Sequence, residues 1–366
     1  MTDTELHFLL SLQKVEGIGD IMAKKLLNQF GSAEDIFKAK SSQLATVDGI
    51  GSVLLNNLKN KSVFGQAEIE LKYILNNTIN VSFFKDDDYP EKLKHCIDGP
   101  ILLFTAGNIN LKQKRIISIV GTRQVTAYGV DFCKKLMSDL APLDPIIVSG
   151  FAYGVDIVAH QAAMENNLQT IGVLAHGLNQ IYPKNHKKYM SKMEKNGGFM
   201  TEFWSNSNPE RENFVRRNRI VAGISEATIV IESADKGGSL ITANLANDYN
   251  RDVFAVPGRT SDKYSQGCNN LIKTQRAHLL NSAADLVYIL NWDIGKKEKP
   301  VQKQLFVNLE PQEQIVFDFL QKNGKEHMDI IALECNLPVF KISSLLLNME
   351  LKGVMRPLPG KLFEAI

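Results

Sequence analysis

Five short apolar runs in the middle of the chain constrain its fold more than any other feature. Each is rich in β-branched residues, and intervals long enough for a helix separate them; they cover residues 116–120, 145–148, 170–174, 227–231 and 252–256. Buried parallel strands have such continuous apolar runs because helices cover both faces of the sheet. The sequence therefore predicts an α/β fold with a Rossmann-like, mostly parallel sheet and helices on both faces.

Glycine or serine follows nearly every run. Ligands bind at the carboxyl ends of the strands in an open parallel sheet. We therefore expect one crevice to be lined by the turns that contain Gly121, Ser149, Gly150, His176, Gly177, Ser233 and Gly258.

The first of these turns predicts an anion cradle. Gly121, Thr122 and Arg123 precede a helix start that Thr126 can cap, and an arginine in such a turn can pair bidentately with phosphate or with a guanine edge. The G-x-G-x-x-G spacing of dinucleotide sites is missing, so we expect no NAD or FAD. The alternative is that Arg123 forms a salt bridge at the domain surface.

A second cradle is predicted farther along the chain, where a lysine, two glycines and two hydroxyls open a helix. The residues are Lys236, Gly237, Gly238, Ser239 and Thr242. The lysine precedes the glycines, unlike in a P-loop, so we do not expect ATP hydrolysis.

Cations and aromatic rings concentrate between the two cradles. Phe203, Trp204 and Phe214 lead into Arg216, Arg217, Asn218 and Arg219. Guanidinium groups can hold phosphates while rings stack on unpaired bases, which is the pairing that single-stranded nucleic acid requires. A buried arginine network with Glu202 is the alternative, and the two interpretations are compatible.

An acid–base pair is the competing interpretation for the turn after Gly150. Asp156 and His160 are four residues apart on one helix face, as a hydrolase could use them. No nucleophile elbow accompanies them, so we favour a structural role for both.

The N-terminal segment carries a near-repeat, Gly17-Ile18-Gly19 and Gly49-Ile50-Gly51, each between helical stretches. This is the pattern of tandem helix-hairpin-helix motifs. The hairpins either present backbone N–H groups to phosphate or serve only as turns in a helical bundle.

The C-terminal segment predicts a winged helix after a lysine-rich linker. Helical runs at 311–321, 330–335 and 339–351 precede a hairpin at 353–363. The expected recognition helix offers mainly Lys341 and Lys352 and no arginine for base edges, so we favour protein contact over DNA contact.

The charge balance, the cysteines and the length of the apolar runs limit where the protein can work and which ligands it can bind. With 42 basic and 40 acidic residues, DNA binding must come from local clusters of cations. The four cysteines form no C-x-x-C pair, which argues against a zinc site or a disulfide framework. No apolar run reaches the roughly 18 residues of a membrane span. We expect a soluble cytoplasmic protein with no metal, cofactor or membrane partner.

Taken in order, these motifs resemble the DprA family, also called DNA-processing or Smf proteins. The resemblance covers nearly the whole chain and rests on residues 120–123, 149–156, 181–183, 217–220, 238–243 and 256–258. Tyr153 stands where family members usually have arginine, and the usual Gly-Ala is altered at residues 273–277. The helix-hairpin-helix and winged-helix segments agree with the longer members.

The resemblance implies a homodimer, formed through the Rossmann-like domain, that binds single-stranded DNA without catalysis, protects incoming DNA and loads the RecA recombinase during natural transformation. From their matching positions in the family, Arg123 and Lys236 would lie beside the two cradles. Arg217 and Arg219 would be further cations in the wall of the DNA-binding pocket. The expected DNA-binding set is Gly121, Thr122, Arg123, Ser149, Gly150, Tyr153, Arg216, Arg217, Asn218, Arg219, Lys236, Gly237, Gly238, Ser239 and Thr242.

We predict four segments: a helix-hairpin-helix domain at 1–80, the Rossmann-like domain at 81–294, a linker at 295–306 and a winged helix at 307–366.

One alternative function is that of a nucleotide phosphoribohydrolase, because residues 237–242 partly match the Gly-rich loop of those enzymes. Such enzymes follow the loop with a glutamate, but the nearest carboxylate here is Asp248. A pure assembly adaptor is the third interpretation and predicts no DNA binding.

Overall fold

The computed structural model describes residues 1–112, 115–292, 309–358 and 362–366. The chain divides into two compact units, Met1–Trp292 and Asp293–Ile366. The predicted linker at 295–306 and the tip of the C-terminal hairpin at 359–361 lie outside the described residues.

Two interlocked helical hairpins form the N-terminal part of the first unit, as the near-repeat predicts. Gly17 and Gly49 adopt φ of +83° and +92°, a conformation that favours glycine. A Cβ at Gly17 would lie 2.6 Å from Leu54, and one at Gly49 would lie 2.8 Å from Met22, so each hairpin packs on the helix of the other copy. The helices are α1 (Asp3–Gln13), α2 (Asp20–Phe30), α3 (Ala33–Lys38), α4 (Ser41–Leu44), α5 (Ser52–Leu58) and α6 (Ser62–Asn76).

A nine-stranded sheet forms the rest of this unit, with the order β1-β2-β6-β5-β4-β3-β7-β8-β9. The five predicted runs are confirmed as β3, β4, β5, β7 and β8, which pair in parallel. The other four strands were not predicted; β1 pairs antiparallel with β2, and β2 with β6. The strands are β1 (Asn80–Phe83), β2 (Leu102–Asn108), β3 (Ile116–Val120), β4 (Ile146–Ser149), β5 (Thr170–Val173), β6 (Gly197–Thr201), β7 (Ala227–Val230), β8 (Asp252–Ala255) and β9 (His278–Leu279).

The chain reverses its direction across the sheet at β3. This strand pairs with β4 on one side and with β7 on the other, so the connections that leave their carboxyl ends diverge and open a crevice. Apolar cores lie on both faces of the sheet. The helices are α7 (Glu91–Lys94), α8 (Ala127–Leu140), α9 (Val155–Glu165), α10 (Met190–Lys195), α11 (Arg211–Ile224), α12 (Ser239–Asp248), α13 (Gln266–Lys273) and α14 (Ala283–Ile289).

An ion cluster, in which Arg216 is half exposed and the other three side chains are buried, joins the helical hairpins to the sheet. Asp20, the first residue of α2, lies 3.1 Å from Nη2 of Arg216 and 2.9 Å from Nη2 of Arg219. Glu202 follows β6 and pairs with the same two arginines. Both carboxylates are almost inaccessible, with side-chain exposures of 8% and 0%. The arginine network that the sequence left open is therefore present.

The second unit is a winged helix with its own core. The helices are α15 (Pro311–Asn323), α16 (Met328–Glu334) and α17 (Val339–Leu351), and the strands are β10 (Glu326–His327), β11 (Met355–Leu358) and β12 (Leu362–Ala365). The three strands form a sheet with the order β10-β12-β11. Among the described residues of the chain, no single helix is long and apolar enough to cross a membrane; the bent pair α16 and α17 passes by length and composition alone.

Candidate nucleic-acid interface

A cavity of about 710 Å³ opens at the carboxyl ends of β3, β4 and β7, where the sheet reverses direction. It includes eleven of the fifteen residues of the expected DNA-binding set. These are Gly121, Thr122, Arg123, Gly150, Arg217, Asn218, Lys236, Gly237, Gly238, Ser239 and Thr242.

The turn after β3 holds Arg123 at the cavity wall. Thr122 donates its N–H to the carbonyl of Glu232, at 2.7 Å, and the Glu232 carboxylate accepts the N–H and hydroxyl of Thr126. Thr126 in turn caps α8, as predicted. A Cβ at Gly121 would lie 2.4 Å from Val155, so the close approach of α9 requires glycine there. The turn is therefore fixed at both ends, while the Arg123 side chain remains exposed.

The first turn of α11 supplies an aromatic ring to the same wall. The Arg123 guanidinium carbon lies 5.5 Å from the centroid of the Phe214 ring. Phe214 also packs edge-on against Tyr182, with a centroid separation of 5.7 Å. A cation and a ring therefore meet at this wall, although the sequence pairs Phe214 with the arginines of its own segment and Arg123 comes from another.

Arg217 forms the floor of the cavity. Its side chain is buried and donates to the carbonyl oxygens of Gly150 and Val173. Burial lowers the pKa of Arg217 to about 10, while the nearby Asp156 carboxylate favours the charged form. A Cβ at Gly150 would lie 2.5 Å from Nη2 of Arg217 and 2.6 Å from Oδ2 of Asp156. Glycine at this position is what lets the two charged groups approach each other beneath the cavity.

The second predicted cradle forms the opposite wall. Ser239 begins α12 and donates its hydroxyl to Oγ of Ser233, at 2.9 Å. A Cβ at Gly237 would lie 2.3 Å from the same oxygen, whereas one at Gly238 would meet nothing within 4 Å. Lys236 is exposed beside these glycines. The loop therefore presents an ammonium group at the start of a ten-residue helix.

The charge of the lining is strongly positive. Arg123, Arg211, Arg217 and Lys236 face the cavity, and the single carboxylate among its lining residues is Asp156. Within the described residues, the ion pairs include none made by Arg123, Arg211 or Lys236. An anionic ligand would therefore find three uncommitted cations.

Four residues of the expected set lie elsewhere. Ser149 is buried and donates its hydroxyl to the carbonyl of Ile119, at 2.6 Å. Tyr153 is exposed, with its ring centroid 5.0 Å from that of His186. The half-exposed Arg216 and the buried Arg219 belong to the ion cluster with Asp20 and Glu202. The structure brings none of these four to the cavity wall.

Asp156 and His160 have separate partners, in keeping with the structural role favoured above. Asp156 accepts the N–H of Ala152, at 3.2 Å. Nδ1 of His160 lies 2.6 Å from Oγ1 of Thr170 inside the core, and burial lowers the pKa of His160 to about 3. Such a histidine is neutral throughout the physiological range and does not line the cavity.

Sequence reasoning missed several lining residues. Tyr264 reaches the cavity from the loop between β8 and α13 and donates its hydroxyl to Oε1 of Gln124. Nothing in the local sequence marks this loop, because its position depends on the strand order. Arg211, at the first turn of α11, could have been found from the cation cluster that follows it.

Comparison with known proteins agrees with this architecture. Residues 80–291 match the family described as DNA recombination-mediator protein A, residues 9–60 match a SAM-like helix-hairpin-helix tandem, and residues 302–361 match the DprA winged helix domain. The chain is 29% identical to protein Smf of Synechocystis over 100% of both chains. It is 35% identical to the DNA processing protein DprA of Bacillus subtilis, over 74% of this chain and 91% of the relative.

Two solved structures are similar as well. DNA processing protein A of Streptococcus pneumoniae matches with a TM-score of 0.66 and 30% identity, over 79% of this chain and 98% of that one. DNA processing protein A of Helicobacter pylori, from work on its single-stranded DNA binding mode, matches with a TM-score of 0.53 and 28% identity, over 58% of this chain and 95% of that one.

Proposed function

The chain belongs to the DNA recombination-mediator protein A family, and from this premise we propose that it is a non-catalytic single-stranded DNA-binding protein. In this proposal it protects incoming DNA and loads the RecA recombinase during natural transformation. The single-stranded DNA binding described for the Helicobacter pylori relative supports the DNA-binding part.

The observation that carries the proposal is the convergence of three separate segments on one cavity. Arg123, Phe214 and Lys236 come from the turn after β3, from α11 and from the loop before α12. Uncommitted cations can hold the phosphates of a flexible strand, and an aromatic ring can stack on a base of any identity. Binding should therefore depend little on sequence and strongly on salt.

We assign different roles to the residues of the expected set. Arg123 and Lys236 contact phosphates directly, and the backbone at Gly237 and Gly238 lets the strand approach closely. Arg217 and Ser149 position the turn that follows β4, because both are buried and bonded to backbone carbonyls. Arg216 and Arg219 hold the helical hairpins on the sheet.

The lining chemistry favours binding over hydrolysis. Asp156, the single carboxylate among the lining residues, is buried beside Arg217 and accepts a backbone N–H. A phosphoribohydrolase needs a carboxylate that faces its substrate, and no specific observation supports that alternative. We therefore propose that the protein is not an enzyme and needs no cofactor.

Family membership also supports proposals for the assembly. We infer a cytoplasmic homodimer through the Rossmann-like domain, with RecA as protein partner. We propose three domains, a helix-hairpin-helix domain at 1–80, the Rossmann-like domain at 81–294 and a winged helix at 307–366, with a linker at 295–306.

A salt titration of binding tests the function. Fluorescence anisotropy with labelled oligothymidine and with a duplex of equal length should show a preference for the single strand. The logarithm of affinity should fall against the logarithm of salt concentration with a slope of roughly −0.7 per phosphate contacted. Lys236→Glu should weaken binding, and Lys134→Glu on α8 is the matched control. Equal affinity of Lys236→Glu and the parent protein would contradict the assignment.

A further inference from the structure

We propose that a ridge beside the cavity carries a second stretch of the bound single strand, so that the DNA path extends well beyond the cavity itself. The ridge consists of Lys184, Lys187, Lys188, Lys192 and Lys195, with Tyr153 and Tyr182 at its base. This inference rests on the proposed function, because it deepens the same DNA-binding site.

The charge of the ridge is the first observation. Residues 182–195 contain five lysines and one carboxylate, Glu194, and all five lysines are exposed. In the part of the chain that the structure describes, the ion pairs include none made by these lysines. An exposed surface on which five lysines repel each other, with one carboxylate among them, is suited to a polyanion.

Two lines of aromatic contact join the ridge to the cavity. Tyr182 packs against Phe214 of the cavity wall, with centroids 5.7 Å apart. Tyr153 follows Ala152 of the cavity lining and packs against His186, with centroids 5.0 Å apart. A strand that leaves the cavity past Phe214 therefore meets Tyr182 at the base of the ridge.

The ridge also exposes rings on which bases can stack. Tyr153 and Tyr182 are 44% and 42% exposed, so part of each ring is open to a ligand. The ammonium group of Lys188 lies 5.0 Å from the centroid of the Tyr189 ring. Cations interleaved with open rings are the combination that single-stranded nucleic acid requires, whereas a duplex would offer no unpaired bases.

Buried anchors hold the lysines in place. The 3₁₀ helix Lys184–Tyr189 and α10 share one inner face, where His186 and Met193 are buried. Nδ1 of His186 lies 3.1 Å from the carbonyl of Phe151, and Gln161 donates to the hydroxyl of Tyr189, at 2.5 Å. The ridge is therefore a fixed part of the fold, with its lysines on the outer face.

The test compares short and long oligonucleotides on the full-length protein. An oligothymidine of about 6 nucleotides fills the cavity alone, whereas one of about 20 also covers the ridge. Lys187→Glu/Lys188→Glu should weaken binding of the long probe about tenfold at low salt, reduce its salt slope by about 1.4, and leave the short probe unaffected. Tyr182→Ala should weaken the long probe about fivefold or more without changing the salt slope.

The control is Lys134→Glu/Lys135→Glu, a pair of adjacent exposed lysines on α8. This variant carries the same change in net charge and should bind both probes as the parent protein does. Equal losses for ridge and control variants, or a ridge variant that binds the long probe normally, would overturn the proposal. So would a ridge variant that loses duplex binding alone. Failure of Arg123→Ala to weaken the short probe would instead count against the cavity, and the two results are therefore distinguishable.

Discussion

The guanidinium carbon of Arg123 lies 5.5 Å from the centroid of the Phe214 ring. The two side chains come from segments about 90 residues apart, the turn after β3 and the first turn of α11. Their juxtaposition gives one cavity wall both a cation and an aromatic ring, and the two can be separated by mutation.

Arg123→Ala and Phe214→Leu should both weaken single-stranded DNA binding, but for different reasons. Loss of the arginine should reduce the salt slope by about 0.7, because one phosphate contact disappears. Loss of the ring should cost about 1–3 kcal/mol with an unchanged slope, because stacking releases no counterions. Titrations at several salt concentrations measure both quantities. Identical slopes for the two variants would contradict this division of roles.

Gly150→Ala should destabilise the protein and weaken DNA binding. The added methyl group would lie 2.5 Å from Arg217 and 2.6 Å from Asp156, so it would displace the cavity floor. Overpacking of this kind typically costs about 1–3 kcal/mol. Gly238→Ala is the control for stability alone, because its Cβ would meet nothing within 4 Å whereas its backbone belongs to the second cradle. Chemical denaturation of both variants checks the prediction, which fails should Gly238→Ala prove the more damaging change.

Glu202→Ala should lower the free energy of unfolding by about 3–5 kcal/mol, because it leaves the Arg219 guanidinium buried with one carboxylate fewer. Glu34→Ala removes an exposed i,i+4 pair with Lys38 and should have little effect. Urea denaturation measures the difference. A small loss at Glu202 would show that the cluster contributes little to holding the helical hairpins on the sheet.

The stability of the protein should fall as the pH drops below about 6.5. Burial lowers the pKa of His160 from 6.5 to about 3, so the unfolded chain binds a proton at a higher pH than the native chain. The contribution of this group is complete above pH 6.5 and is lost as the pH falls toward 3, by about 1.4 kcal/mol per pH unit. His160→Gln should therefore flatten the decline between pH 7 and pH 5 by about 2 kcal/mol. Denaturation curves at each pH decide the matter; parallel curves for the two proteins would argue against His160 as the cause.

Removal of the C-terminal unit should change the affinity for single-stranded DNA by no more than about twofold, because the surface of that unit does not carry an excess of cations that could follow a DNA backbone. Residues 309–358 and 362–366 contain eight acidic and five basic side chains. The outer side of α17 exposes Phe340, Leu347 and Leu351. A chain that ends at residue 308, and therefore keeps the lysine-rich linker, can be compared with the full-length protein by anisotropy, and a large loss of affinity would contradict the prediction.

The fold and the two cradles could be predicted from the sequence, and the reason is physical. A central parallel strand is buried on both sides, so β3, β4, β5, β7 and β8 leave continuous apolar runs. By contrast, β6 contains Gly197 and Gly198 at φ of +136° and +154°, and β9 has two exposed residues. Neither has the β-branched run that would have marked it as a strand.

The candidate site was predicted where it depends on local turns and missed where it depends on tertiary packing. The turn at Gly121 and the turn at Lys236 can both be recognised in the sequence from their glycines and cations. Packing of α11 against its neighbours decides which way each of its arginine side chains points. The sequence alone therefore could not show which of the adjacent arginines reaches the cavity. For the same reason, Tyr264 became a candidate only once the strand order was known.

The arrangement of α11 has a mechanical consequence. Its Arg216 and Arg219 pair with Asp20 of the helical hairpins, while Arg217, between them in sequence, forms the floor of the cavity. Because the three arginines share one helix, a change that shifts α11 at the ion cluster would also shift the guanidinium at the cavity floor.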